Sequence, residues 1–170
     1  MHANFKEMNQ SEEDKNTLHE YAKHPQGYLL LSGTNGSGKS YAAEAIYNMN
    51  TPYRLPQYDS DRAIFITQAA LNTECNSNLE ERMLILDKYK NVKLLVLDDL
   101  GTRKPTEAFS DFLYDIIDFR WRNRDELATI ITTNLNSKEV RTMFGDAILS
   151  RIASNMIKRW EHEDRRHIEF

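Results

Sequence analysis

Gly33, Gly38, Lys39 and Ser40 stand in the order Gly-x-x-x-x-Gly-Lys-Ser, a spacing able to wrap a phosphate group. The chain has six glycines, and three of them, Gly33, Gly36 and Gly38, fall in this one turn. Lacking a Cβ, they let the backbone take positive φ and curl its N–H groups around an anion. The cradle is expected to run from Gly33 through Thr34, Asn35, Gly36, Ser37 and Gly38 to Tyr41. Within it Lys39 would supply a cation for the β- and γ-phosphates, and the Ser40 hydroxyl an oxygen for Mg2+. A chance glycine–serine turn would explain neither flank. The aliphatic stretch Leu29–Leu31 before the loop predicts a strand, and "KSYAAEAIYNMN" after it predicts a helix. On that helix Ala42, Ala43, Ala45 and Ile46 face inward, and its N-terminus turns unpaired N–H groups toward the phosphates. The stretch implies binding of a nucleoside triphosphate.

Two further segments carry matching chemistry. Leu94 to Leu97 form a continuous apolar run that ends in Asp98 and Asp99. Such a run suits a central parallel strand buried on both faces, and its C-terminal end opens on the crevice where ligands bind. There Asp98 would hold Mg2+ through water, and Asp99 would polarise the attacking water. The β-branched stretch "TIITTNL" places Asn134 at the end of another strand. An asparagine there either starts a turn or points its amide at the γ-phosphate to orient that water. The second role requires its strand to lie between the P-loop strand and the acidic strand.

The elements that must position these residues read as an α/β chain. "SEEDKNTLHEYAKH" is a first helix capped by Ser11, with Leu18, Tyr21 and Ala22 inward. "RAIFIT" is a strand, "LEERMLILDKYK" a helix, "KLLVLDD" a strand and "TEAFSDFLYDIIDFRWRN" a long amphipathic helix. "LATIITTN", the short helices "SKEVRTMF" and "DAILSRIA", and a last strand "NMIKRW" complete the series. Strands alternating with helices predict a five-stranded parallel sheet covered on both faces, a P-loop three-layer sandwich. "NTPYRLPQYDSD" is expected to be a loop, residues 1–10 a loosely attached linker, and 11–170 the ATPase domain.

At 170 residues the chain is long enough for one domain with a sizeable core. Its net charge of −4 speaks against a strongly basic nucleic-acid binder but leaves local basic patches open. One cysteine, Cys75, excludes an internal disulfide, and the five histidines lack ligand spacing for zinc. Neither a membrane span nor a secretory leader is legible, so a cytoplasmic location and no membrane partner are expected.

A P-loop followed by "LLVLDDLGT", "IITTN" and "FGDAILSRI" resembles the AAA+ superfamily. Within it the chain is similar to bacterial replicative helicase loaders (DnaC/DnaI type) and to the related IstB-type transposition ATPases. The resemblance runs from about Phe5 to Arg166, and "LLVLDDLGT", "IIDFRWRN" and "ILSRI" carry it more specifically than the P-loop. It implies that Arg151 is an arginine finger reaching a neighbouring subunit's γ-phosphate, and hence a homo-oligomer with ATP and Mg2+ at subunit interfaces. It also implies a C-terminal arginine on the nucleotide, for which Arg166 is preferred over Arg165. Two departures stand out: Asp98-Asp99 replaces the common Asp-Glu pair, which implies slow turnover, and no helical lid domain is expected. The implied partners are single-stranded DNA and a replicative helicase or a transposase. Candidate DNA contacts are the region "TQAALNTECNSNLEERMLILDKYK", Arg103 with Lys104, and the Trp121 neighbourhood with Arg120, Arg122 and Arg124. For that last cluster, cations at a helix C-terminus are the simpler reading. A monomeric P-loop kinase for a small metabolite is the alternative from another class.

Overall fold

A computed structural model describes residues 3–51 and 62–161. Residues 52–61, most of the expected proline-containing loop, lie outside the described residues, as do Arg165 and Arg166. After a single 3-10 turn at Phe5–Glu7 come α1 (Glu12–Lys23), β1 (Gly27–Gly33), α2 (Lys39–Asn50) and β2 (Ala63–Thr67). Next follow α3 (Gln68–Cys75), α4 (Leu79–Asn91), β3 (Leu94–Leu100) and α5 (Glu107–Arg122). The chain continues through β4 (Ala128–Thr133), α6 (Ser137–Phe144), α7 (Asp146–Ile152) and β5 (Met156–Trp160). Side-chain caps set several starts: Ser11 accepts from the Asp14 N–H, Thr106 from Phe109, and Asn136 forms a capping box with Glu139.

All five strands are parallel, in the order β2-β3-β4-β1-β5. β4 therefore lies between the P-loop strand β1 and the acidic strand β3, the order that a γ-phosphate role for Asn134 requires. Successive side chains of a strand point to opposite faces, and the core divides accordingly. Leu29, Leu31, Val96 and Ile130 pack with Ala42, Ala43 and Ile46 of α2 and Leu18 of α1. Leu30, Leu95, Leu97 and Ile131 pack on the other face with Phe112, Ile116 and Ile117 of α5 and Ile148 of α7. Asp14 of α1 fastens the edge strand β5, accepting from Lys158 Nζ at 2.7 Å and from the Trp160 indole at 2.9 Å.

Three expectations change. Residues 3–10 are not loosely laid on the domain: Ala3 and Met8 are buried on the α1/α2 side, and Asn48 donates to the Ala3 carbonyl at 2.9 Å. The region after β2 forms two helices, α3 capped by Thr67 and α4 capped by Asn78. Finally, Arg120 belongs to no surface platform. It is fully buried, and its guanidinium donates to the carbonyls of Tyr89, Lys90, Val92 and Ala128 and to the Thr129 hydroxyl. Desolvation by burial lowers its pKa to about 10. Arg120 ties the end of α4 and the start of β4 to α5.

Arg120→Met keeps an unbranched apolar stem but removes the guanidinium and strands buried carbonyls, each worth about 1–3 kcal/mol when left unpaired. A loss of about 3 kcal/mol is expected, which for a chain of this size lowers Tm by roughly 6–12 °C. Thermal denaturation followed by circular dichroism checks it. A melting curve matching the wild type would remove the pinning role.

Candidate nucleotide-binding site

The P-loop is held open by contacts that only glycine permits. A Cβ on Gly33, at φ 143°, would lie 1.9 Å from the Trp160 carbonyl oxygen, and that oxygen accepts the Thr34 N–H at 3.1 Å. Gly38, at φ 91°, is the left-handed residue that launches α2, and a Cβ there would meet Gln10 Nε2 at 2.4 Å. Gln10 is itself buried and donates to the Ser37 carbonyl at 2.8 Å. The N-terminal segment thus braces the loop from outside.

Lys39 is the first residue of α2 and only 5% exposed. Its ammonium donates to the carbonyls of Gly33 at 3.0 Å and Thr34 at 2.6 Å, and to Ser37 Oγ at 3.3 Å. The cation therefore sits over the loop, beside the N–H groups that begin α2. Ser40 and Tyr41 follow in the first helical turn, and the Tyr41 hydroxyl bonds to the Asn4 N–H and Glu7, a second tie to the N-terminal segment.

The acidic pair lies on a β-bulge. Leu97 pairs with Ile131 and Leu100 with Thr133, so Asp98 and Asp99 together face the single residue Thr132. Asp99 takes φ 59°, the one positive φ among the described non-glycine residues, in a region that aspartate tolerates better than most side chains. Thr132 locks the arrangement: its hydroxyl donates to Asp98 Oδ1 at 2.7 Å and accepts the Asp99 N–H at 2.9 Å. Asp98 stays buried at 6% exposure while Asp99, one bulge position on, is only half-buried. The bulge gives two adjacent acids different surroundings. Beyond it Gln68 accepts the Gly101 N–H at 2.6 Å and donates to the Arg103 carbonyl at 2.9 Å, fixing the loop that exposes Arg103 and Lys104.

Asn134 follows β4 directly and is exposed. It lines a cavity of about 260 Å3 together with Gly33, Thr34, Ser137, Glu139 and Arg159, over a floor that includes Leu30 and Val140. The fold thus brings the first P-loop residues, Gly33 and Thr34, and Asn134 to one cavity at the C-terminal ends of the strands, whereas Lys39, Ser40, Asp98 and Asp99 do not line it. Arg151 is elsewhere. It stands on α7 and turns toward α5, pairing with Asp118 at 2.6 Å. Thr132, Gln68, Gln10 and Asp118 were not singled out by type or spacing. For Thr132 a signal existed, since two adjacent threonines directly precede Asn134 at the end of the strand. Cys75 is buried, and desolvation raises its thiol pKa, so it is a packing residue and not a reactive one.

The donor set suits Mg2+, which takes hard oxygens, one or two of them from protein, and completes its shell with phosphates and water. The Ser40 hydroxyl and Asp98 carboxylate are such oxygens. Among the described residues no cluster of three His, Cys, Asp or Glu side chains is placed to cage a metal without them.

Thr132→Val keeps the shape of the side chain and removes both of its hydrogen bonds. Nucleotide affinity should change little, because the P-loop is untouched, while turnover should fall about 10- to 100-fold as the acids lose their alignment. Steady-state phosphate release beside nucleotide titration checks this; wild-type turnover would mean the bulge holds without the hydroxyl.

Residues 20–167 match the family described as IstB-like ATP binding protein. The putative ATP-binding protein of insertion sequence IS232 from Bacillus thuringiensis subsp. berliner is 28% identical over 132 residues, 75% of this chain and 50% of that protein. The replicative helicase loader DnaC of Escherichia coli K12 is 28% identical over 124 residues, 73% of this chain and 49% of that protein. The chain thus spans about half the length of the curated relatives it matches. The crystal structure of the DnaC helicase loader shares the fold with a TM-score of 0.75 at 21% identity, covering 95% of this chain and 97% of that one. A family match reaching from α1 past β5, on a sheet with the strand order of AAA+ P-loop domains, gives the assignment: this chain belongs to the IstB-like ATP-binding proteins.

Proposed function

We propose that this chain is a slow, Mg2+-dependent ATPase switch of the helicase-loader type, whose subunits assemble with ATP on single-stranded DNA or on a replicative helicase. The observation that carries the reading is the bulge at Asp98-Asp99. It separates a buried acid, suited to hold Mg2+ through water, from a half-buried acid suited to polarise the attacking water. Asn134, at the crevice beside Thr34, orients that water. Arg151 acts in trans, on the nucleotide of a neighbouring subunit, and hydrolysis releases the assembly. Arg166 is the proposed C-terminal contact to the nucleotide. The exposed Arg103 and Lys104 at the rigid loop beyond β3 supply DNA phosphate contacts.

A second reading is favoured by the IS232 relative: the same ATPase serving a transposase, with duplex DNA as the ligand. Size-exclusion chromatography with light scattering separates the possibilities, run with and without a non-hydrolysable ATP analogue and with single- or double-stranded oligonucleotide. The loader reading expects the 19.9 kDa chain to assemble only with analogue, and more readily on single strands. Several subunits then present their small basic patches together, and affinity should fall steeply with salt. Preference for duplex supports the transposase reading. A monomer under every condition contradicts both.

A further inference from the structure

We propose that Asp118 is a positioning residue that holds Arg151 folded back within its own subunit, and that assembly requires this ion pair to open. The inference rests on the trans-acting role of Arg151 given above. Arg151 Nε and Nη2 both contact Asp118 Oδ1, at 2.8 and 2.6 Å. Nη1 donates to the Ala147 carbonyl at 2.8 Å, and Nη2 also reaches the Tyr114 hydroxyl at 3.3 Å. The guanidinium carbon lies 5.2 Å from the Tyr114 ring centre and 5.5 Å from that of Trp121. A guanidinium has two forked edges with which to grip a phosphate oxygen pair. Here one fork is on Asp118 and the other is spread over Ala147 and Tyr114, and the side chain is 19% exposed. In this position Arg151 offers a neighbour's γ-phosphate neither fork.

Opening a half-buried pair is costly when it strands a charge. Of the side chains left behind, Asp118 and Trp121 already have another cation, while Tyr114 keeps only its neutral hydroxyl and ring. Arg122 Nε lies 2.9 Å from Asp118 Oδ2, with an Arg122 side chain that is 70% exposed. Arg124 stacks on Trp121, its guanidinium carbon 4.7 Å from the ring centre. When Arg151 leaves, Arg122 keeps the Asp118 carboxylate neutralised and Arg124 keeps the indole face covered. The cluster on α5 is thus built to release its guest. Asp118 and the neighbour's triphosphate compete for one guanidinium, and a highly charged γ-phosphate is the competitor able to win it.

The test measures ATPase rate against protein concentration in the full chain, for the wild type, Asp118→Asn, Arg122→Ala and the double variant. Asp118→Asn should lower the concentration at half-maximal rate several-fold, since a weaker restraint is easier to open, with affinity for an ATP analogue at monomeric dilution unchanged. Arg122→Ala removes the replacement cation and should raise that midpoint several-fold. In the double variant the Arg122→Ala effect should vanish, because no carboxylate remains to be neutralised. An unchanged or raised midpoint for Asp118→Asn overturns the proposal, as does an Arg122→Ala effect that persists in the double variant. If Asp118→Asn does not fold, Arg122→Ala decides, since its side chain is largely in solvent: a midpoint that stays or falls overturns the restraint. Arg151→Ala distinguishes the two layers. Full ATPase activity in that variant sinks the trans-acting role itself, whereas an inactive Arg151→Ala beside an unmoved Asp118→Asn midpoint sinks only the restraint.

Discussion

Lys39→Ala is expected to bind no measurable ATP analogue, whereas Asp99→Asn should bind it as the wild type does and fail to turn it over. The difference follows from where the two charges sit. Lys39 lies over the loop, its ammonium on the Gly33 and Thr34 carbonyls and on Ser37 Oγ. In the proposed site the same cation is the one that would serve the β- and γ-phosphates of a bound nucleotide. Two charge-assisted hydrogen bonds are worth about 3–6 kcal/mol together, or roughly 10^2- to 10^4-fold in Kd. Alanine also removes a cross-link within the loop, which adds to the loss. Asp99 is a different case. At φ 59° it needs a side chain that tolerates left-handed backbone, and asparagine does. The substitution therefore removes the charge and leaves the bulge, with Thr132 still bonded to its N–H. Loss of a general base costs about 10^2- to 10^4-fold in rate. Calorimetric titration with analogue and a phosphate-release assay check both variants. Equal analogue binding by the two would contradict the division of roles.

Arg151→Ala should bind ATP normally and hydrolyse it on the order of 10^3-fold more slowly, the usual weight of an arginine finger. The contacts of Arg151 run to Asp118, Ala147, Tyr114 and Trp121, none of them in the P-loop, so binding has no reason to change. Folding should also survive, since Arg122 still neutralises Asp118. Arg151→Lys should recover little of the loss, because a lysine ammonium cannot fork across two phosphate oxygens. Turnover near wild type in Arg151→Lys would mean that a positive charge alone suffices and that fork geometry plays no part.

Much of the architecture was legible because the three central strands are apolar or β-branched runs that stop at a chemically distinct residue. The runs end at the P-loop glycines, at Asp98 and at Asn134, and the helix after the P-loop buries Ala42, Ala43, Ala45 and Ile46 as its periodicity implied. The bulge was not legible. It depends on which β4 residue stands opposite Asp98 and Asp99, and that register is a cross-sheet fact. The same holds for Gln68, which reaches 33 residues along the chain to Gly101, and for Asp118, 33 residues from Arg151. Arg120 is instructive for another reason, since a signal was present. It continues the buried series Phe112, Leu113, Ile116, Ile117 at helical spacing, which places it on the core side of α5. Its charge, set among Trp121, Arg122 and Arg124, suggested the surface instead.

Whether each working site is built from two subunits is tested most directly by mixing two inactive variants. Arg151→Ala brings a sound P-loop without a finger; Lys39→Ala brings a finger without a working P-loop. Neither should hydrolyse ATP alone. Once mixed, some interfaces present Arg151 of a Lys39→Ala subunit to an intact P-loop, so ATPase activity should return in part and rise with total protein concentration. If the mixture stays as inactive as its components while both variants still assemble, Arg151 does not act in trans and the shared site is contradicted.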